Sequence, residues 1–302
     1  RGSAERPPQT VRESRPVRPP QDERWVRVIR ELNRTQGTQF NLGAILRGVQ
    51  EAEVDGDTLR LSFRQQSMGD RVANTGWSWG ATSFDADNDG DTDLFIANGH
   101  KSRESVKDYE RQFWCHDIYH ATSESNLAME VYIRGTSSRL YGAGYSYGGY
   151  EKNRLLLNRE NKSLDDVAFL MNASHEIDSR NVASGDIDGD GRLDLIFTHF
   201  SVWPEPATQG LLMARNLWPG DNRWVGFRLA RSVGCPSLNG TKIRLRAGGR
   251  DQWRVIVNGD SYRSQHAPIA HFGLGQAAVE FVEIHWPNGQ TTRIDEPPHG
   301  QY

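Results

Sequence analysis

From residue 75 onward, apolar and polar positions alternate with a period of two in short runs, a pattern that places every second side chain on one face of a strand. The clearest runs are Val225-Gly-Phe-Arg-Leu229, Lys242-Ile-Arg-Leu-Arg-Ala247, Trp253-Arg-Val-Ile-Val257 and Val279-Glu-Phe-Val-Glu-Ile-His-Trp286, separated by Gly, Asn or Pro turns. They predict a compact β-sandwich over residues 221–302. Upstream, Leu94-Phe-Ile-Ala97, Asn153-Arg-Leu-Leu-Leu-Asn158 and Leu195-Ile-Phe-Thr198 are β-rich and bounded by turn residues, so residues 74–220 also read as all-β. Residues 101–150 break the pattern with polar, aromatic and glycine-rich sequence and read as an insertion, with a helix expected around Val106 to Tyr119.

The beginning of the chain has a different periodicity. Trp25, Val26, Val28, Ile29 and Leu32 fall at helical spacing, and a second short helix is expected over Leu42–Leu46. Val49–Val54 and Thr58–Phe63 alternate around the turn residues Asp55-Gly56-Asp57, which predicts a hairpin. Residues 23–73 thus form a small N-terminal α+β segment in this reading, preceded at residues 1–22 by a flexible Pro/Arg-rich arm. The whole fold is expected to be mainly β.

Composition adds exclusions. The 302 residues are 36% hydrophobic and 25% charged, which is ordinary for a globular protein, and the net charge of −3 gives no field that would gather nucleic acid. No stretch is long and apolar enough to span a bilayer, and an export signal is expected to lie outside this sequence. Cys115 and Cys235 are too few for a disulfide scaffold and either pair or remain two thiols.

The strongest chemical signal is a duplicated acidic loop. Asp85, Asp87, Asp89 and Asp93, with Gly90, repeat 101 positions later as Asp186, Asp188, Asp190 and Asp194, with Gly191. Carboxylates at positions 1, 3, 5 and 9 and a glycine at 6 match a loop that wraps oxygen ligands around a hard cation, and the position 7 carbonyls belong to Asp91 and Arg192. Positions 12 are Ile96 and Phe197, and the surrounding residues are strand formers, so these are calcium loops of a β-domain and not helix-loop-helix hands. Two calcium ions are the expected cofactors, and Asp178 and Arg180 are expected to brace the second loop.

Other chemistry is weaker. Cys115-His116-Asp117-Ile-Tyr-His120 offers transition-metal ligands at helical spacing but needs a further group, such as His100, His175 or His199. Gly142-Ala-Gly-Tyr-Ser146-Tyr-Gly148 has a nucleophile elbow's composition without its strand-turn-helix setting. Nine Trp and nine Tyr supply a core and, near Trp114, Tyr119 and Tyr141–Tyr150, material for an exposed aromatic face.

Residues 77–302 resemble the FG-GAP/VCBS repeat proteins that end in an ASPIC/UnbV domain. The likeness rests on Phe84–His100, Asn153–Asn158 and Gly185–Leu195, then on Arg223–Leu229, Asn239–Arg250, Gly259–His266, His271–Gly275 and Val282–Gly289. It implies integrin-like propeller blades, partial or reduced because two acidic loops fall short of the six or seven blades of a closed ring, followed by the β-sandwich. Residues 23–73 bear a local likeness to the small tau-subunit domain of bacterial DNA polymerase III, carried by Trp25–Leu32, Leu42–Gly48 and Gly56–Phe63, with no catalytic group in it.

These readings converge on a calcium-stabilised extracellular or periplasmic binding protein without catalytic activity, which engages a protein or glycan through loops and an aromatic face. Two alternatives stand beside it: a metal-dependent enzyme or redox protein using residues 115–120, and a subunit of a larger assembly docked through the arm at residues 1–22.

Overall fold

The computed structural model describes residues 49–55, 58–63, 72, 75–110, 127–160, 162–231, 235–259 and 261–302. The arm at 1–22, the helices expected within 25–46 and the Cys115–His120 cluster lie outside them. The chain divides into two units, Arg1–Gly69 and Asp70–Tyr302. In the first, Val49–Asp55 (β1) and Thr58–Phe63 (β2) form the expected antiparallel hairpin, with Asp55 opposite Thr58.

The second unit is mainly β, in several sheets with no closed barrel. Ser78–Phe84 (β3), Asp93–Asn98 (β4), Arg154–Arg159 (β7) and Ser163–Asp166 (β8) make a four-stranded antiparallel meander, with the first acidic loop as the β3–β4 turn. Ser179–Gly185 (β9), Asp194–Ser201 (β10) and Thr208–Ala214 (β11) make a three-stranded sheet, with the second loop as the β9–β10 turn. The loops thus occupy equivalent corners of two sheets. Those sheets share one core, in which Phe95 and Phe197, the central-strand aromatics, lie 5.4 Å apart with Leu155, Leu157, Val182 and Leu195 around them. Phe95 stands two residues beyond Asp93 and Phe197 three beyond Asp194, so strand alternation turns Phe95 to the same side of its strand as Asp93 and Phe197 to the side opposite Asp194.

Between β4 and β7 sits the insertion. Of the helix expected around Val106–Tyr119, the start is a strand, Ser105–Asp108 (β5), pairing in parallel with Tyr145–Ser146 (β6), Glu110 is helical and residues 111–119 lie outside the described residues; the helix α1 is Leu127–Gly142. Val106 is 77% exposed, so its apolar character reported no buried helical face. Ser146 follows a helix and a turn, the reverse of a nucleophile elbow, and its hydroxyl is fully buried, donating to the Ser105 carbonyl at 2.6 Å.

The last module contains Arg223–Arg228 (β12) paired with Ile269–Gly275 (β15). Its larger sheet has the order Arg250–Val255 (β14), Lys242–Ala247 (β13), Val279–His285 (β16) and Thr291–Asp295 (β17). The apolar half of each alternating run fills a second core: Val225 and Phe272 from the pair meet Ile243, Leu245, Val282 and Ile284 from the larger sheet. Arg244, Arg246 and Glu283, the intervening residues, take the outer face, where Arg244 pairs with both Glu283 and Asp251. Cys235 is a free, buried thiol with Sγ 3.2 Å from the Ser237 carbonyl.

Phe272 is fully buried at the centre of this core. Phe272→Ala is expected to lower unfolding free energy by about 3–5 kcal/mol, seen as a fall in the urea midpoint with little change in slope. An effect below ~1 kcal/mol would contradict the packing described.

Candidate metal centre

The acidic residues fall where turn chemistry demands them. In the first loop the Asp85 carboxylate accepts the Asp89 and Gly90 amides, at 3.1 and 2.9 Å, and Asp89 accepts the Asp91 amide at 2.8 Å. In the second, Asp186 accepts the Gly189 and Gly191 amides, at 2.8 and 3.0 Å, and Asp190 accepts that of Arg192 at 2.9 Å. Gly90 and Gly191 adopt φ of 95° and 86°, conformations that a side chain would strain.

The last aspartate of each loop has a separate task. Asp93 takes the Ala86 amide on one oxygen and the Asn158 amide on the other, at 2.7 and 2.8 Å. Asp194 takes those of Ile187 and Asn216, at 3.1 and 2.8 Å. The asparagines answer in kind, Asn158 Nδ2 donating to the Thr92 carbonyl and Asn216 Nδ2 to that of Leu193. Each loop is therefore clasped to the end of the third strand of its sheet. Asn158 and Asn216 are the functional neighbours that sequence reading missed.

Around the turn, ligand atoms of Asp85, Asp87 and Asp89 come within 4.8 Å of one another, as do those of Asp186, Asp188 and Asp194. Asp91 and Asp93 are outside the first group, and Asp190 and Arg192 outside the second. Asp87 Oδ1 is buried without a hydrogen-bond partner, an acceptor left over once the loop's own amides are used. Burial, with the Asp93 and Asp89 charges adding to it, pushes the Asp85 carboxyl up to about 8. Burial raises Asp93 to about 7, and burial followed by the Asp89 charge raises Asp87. An oxygen set of this kind fits a hard divalent cation, which would relieve repulsion and supply the missing partner.

The two loops differ in what covers them. The C-terminal module lies on the first: the Gly275 amide donates to the Asn88 carbonyl at 2.8 Å, and a Cβ on Gly273 would fall 2.1 Å from Asp85 Oδ2 and 2.5 Å from Asn88 Cα. Asp85 is 1% and Asp87 9% exposed as a result. The second loop touches the module along one side, where Gly191 carbonyl meets His271 Nε2 and Asn88 Nδ2, both at 3.0 Å, and the Trp224 ring crosses Gly191. Asp188 remains exposed. His271 stacks on Trp224 and is held well below the usual imidazole range, to about 4, mainly by burial. A cleft of about 560 Å³ opens between loops and module, with Asp85, Asp186, Trp253, Arg254, His266 and Tyr302 on its walls.

Asp178 and Arg180 do not brace the second loop. Asp178 accepts the Ser102 amide and hydroxyl, both at 2.7 Å, and Arg180 donates to the Gly99 and His100 carbonyls, so both secure the chain leaving β4. Arg180 also lies over Trp79, 4.6 Å from its centroid. Of the aromatic face expected near Trp114, Tyr119 and Tyr141–Tyr150, Trp114 and Tyr119 lie outside the described residues, Tyr141 is exposed, and Tyr147 joins a group in which Trp77 stacks on His100 at 4.7 Å with Trp79 and Tyr262 adjoining.

Gly273→Ala drives a methyl group into Asp85 and the Asn88 backbone and is expected to cost about 3 kcal/mol or more, whereas Gly185→Ala, with open space at its Cβ, stays within about 1 kcal/mol of the parent. Chemical denaturation of the two variants side by side measures the difference; equal stabilities would remove the module from the first loop.

Residues 236–302 match the family model described as ASPIC and UnbV. Over 105 residues, 35% of this chain and 15% of the relative, the sequence is 31% identical to cartilage acidic protein 1 of Homo sapiens. Over 154 residues, 48% of this chain and 22% of the relative, it is 27% identical to cartilage acidic protein 1 of Xenopus tropicalis. The alignments thus take in less than a quarter of either relative.

Proposed function

We propose that this chain is a calcium-stabilised, non-catalytic binding protein of the extracellular space. The single observation carrying the cation is the buried, unpartnered Asp87 Oδ1 in a loop whose neighbouring carboxyls are raised by burial. Asp85, Asp87 and Asp89 would hold calcium in the first loop, and Asp186, Asp188 and Asp194 form the corresponding group in the second. Bound calcium supplies positive charge to a dehydrated carboxylate cluster and fixes a turn that two sheets and the C-terminal module share. Similarity to a cartilage protein supports the extracellular setting, where free calcium is plentiful. No helix among the described residues is long and apolar enough to cross a membrane.

In this reading the β3–β4–β7–β8 and β9–β10–β11 sheets are two FG-GAP/VCBS-type blades, and residues 221–302 are a β-sandwich. Partners are proteins or glycans, which meet the half-buried aromatic group around Trp77, Trp79 and Tyr147. Planar rings of this kind offer contact area at small entropic cost.

Calcium added to chelator-treated protein is expected to raise the melting temperature by several degrees, roughly 2–4 °C per kcal/mol of linkage for a chain of this size, and Asp85→Ala to abolish the shift. Equilibrium dialysis showing no bound calcium, with an unmoved melting curve, would sink the reading.

A pH series gives an independent check. Without the cation, folded Asp85 and Asp93 keep protons up to about 8 and about 7, which the unfolded chain releases near 3.8. The folded state binds more protons across that window, so stability is expected to fall as pH rises from about 4 to about 8. Calcium should flatten the slope in denaturant melts. A stability that climbs over the same range without calcium would count against buried, mutually repelling carboxyls.

A further inference from the structure

The two loops share a sequence pattern but are neutralised differently. In the second, Arg215 Nε lies 2.5 Å from Asp188 Oδ2 and its Nη2 3.4 Å from Asp190 Oδ2, while Arg192 Nη2 lies 2.5 Å from the same Asp190 oxygen. Arg192 is further tied down by Nε donating to the Asn216 carbonyl at 3.1 Å. Asp186 is engaged as well, by two loop amides and the Tyr302 hydroxyl. In the first loop Arg254 attracts Asp85 and Arg159 attracts Asp87 only through space: among the described residues no ion pair of Asp85, Asp87 or Asp89 is found, and Asp87, 9% exposed, keeps Oδ1 without a partner.

We propose that Arg215 and Arg192 are built-in counter-ions that take the metal's place in the second loop, so that the chain has one tight calcium site, at Asp85, Asp87 and Asp89, and one loop locked by its own guanidinium groups. The inference rests on the reading that the first loop holds calcium. It follows from where each loop sits. Covered by the C-terminal module, the first loop has lost water that would stabilise its carboxylates, and with Gly273 and Asn88 closing over Asp85 the nearby Arg254 makes no ion pair with it. A small, highly charged ion suits that space. At the second loop Asp188 and Asp190 are within reach of side chains from the β9–β10 turn and from the end of β11, and two arginines satisfy them with planar, multiply donating groups. Calcium entering this loop must first displace a guanidinium from Asp188, which lowers its affinity.

Isothermal titration of the chelator-stripped full chain with calcium reads the stoichiometry. The parent is expected to bind one ion tightly, and the Arg192→Gln/Arg215→Gln double variant to bind a second with at least a tenfold gain in affinity at that loop. Two ions of equal affinity in the parent overturn the inference without any variant, which keeps it testable if the double variant misfolds. A folded double variant that still binds one ion also overturns it. The parent reading fails differently, as no tight site in the parent at all; if the double variant then gains none either, both fall. Melting curves in chelator supply a second readout: removal of the arginines is expected to make the second loop's stability calcium-dependent, and a double variant as indifferent to calcium there as the parent would deny the counter-ion role.

Discussion

A carboxylate that spends both oxygens on backbone amides from two different parts of the chain is the constraint on which this structure turns. Asp93 joins the Ala86 amide to the Asn158 amide, and Asp194 joins Ile187 to Asn216. Charge-assisted bonds of this kind are stronger than neutral ones, and in each pair one closes the loop on itself while the other reaches the end of the sheet's third strand, 65 or 22 positions away. They fix the loop relative to the third strand of its sheet, and the central strand between them then presents Phe95 or Phe197 to the common core. Asn216 carries the order further, because its Nδ2 also donates to the Ala86 carbonyl of the other loop at 2.7 Å. Two sheets are registered against each other at their turns as well as through their apolar faces.

The C-terminal module builds on those fixed turns. Gly273, Gly275 and His271 contact one loop or the other through backbone or ring atoms, with Arg254 tying the strand edge by donating to the His271 carbonyl at 3.1 Å. Such close approach is available to glycine alone at Gly273. It dries the first loop and leaves the second partly wet, and the electrostatic contrast between two loops with the same aspartates at positions 1, 3, 5 and 9 follows from that placement and from Arg192 and Arg215, not from those aspartates.

What was legible in the sequence was mostly what alternation and turn residues encode locally. The acidic turns sit where turn residues put them, β12, β13, β14 and β16 where period-two patterning did, and β4, β7 and β10 where short apolar runs did, while β17 was not foreseen. The helix Leu127–Gly142 was not foreseen, since it exposes Leu127, Val131 and Tyr132 and so carries no clear apolar stripe to read. Asp178 and Arg180 stand close to the second loop in sequence but lie across a sheet from it, at Gly99–Ser102. Asn158 and Asn216 escaped notice because their partners are 65 and 22 positions away and no periodicity links them. The single available hint was that each asparagine closes an apolar run following its loop.

The pairing of β12 with β15 sets where the C-terminal core is complete. The family match begins at residue 236, yet Arg223–Arg228 lies before it, supplies Val225 to the core and covers the edge of the strand that carries Phe272. A chain cut at that boundary would leave an open sheet edge and an exposed apolar seat, the hazard that native sheets avoid by keeping edges short, charged or paired. The matched segment is therefore smaller than the segment whose side chains close this core.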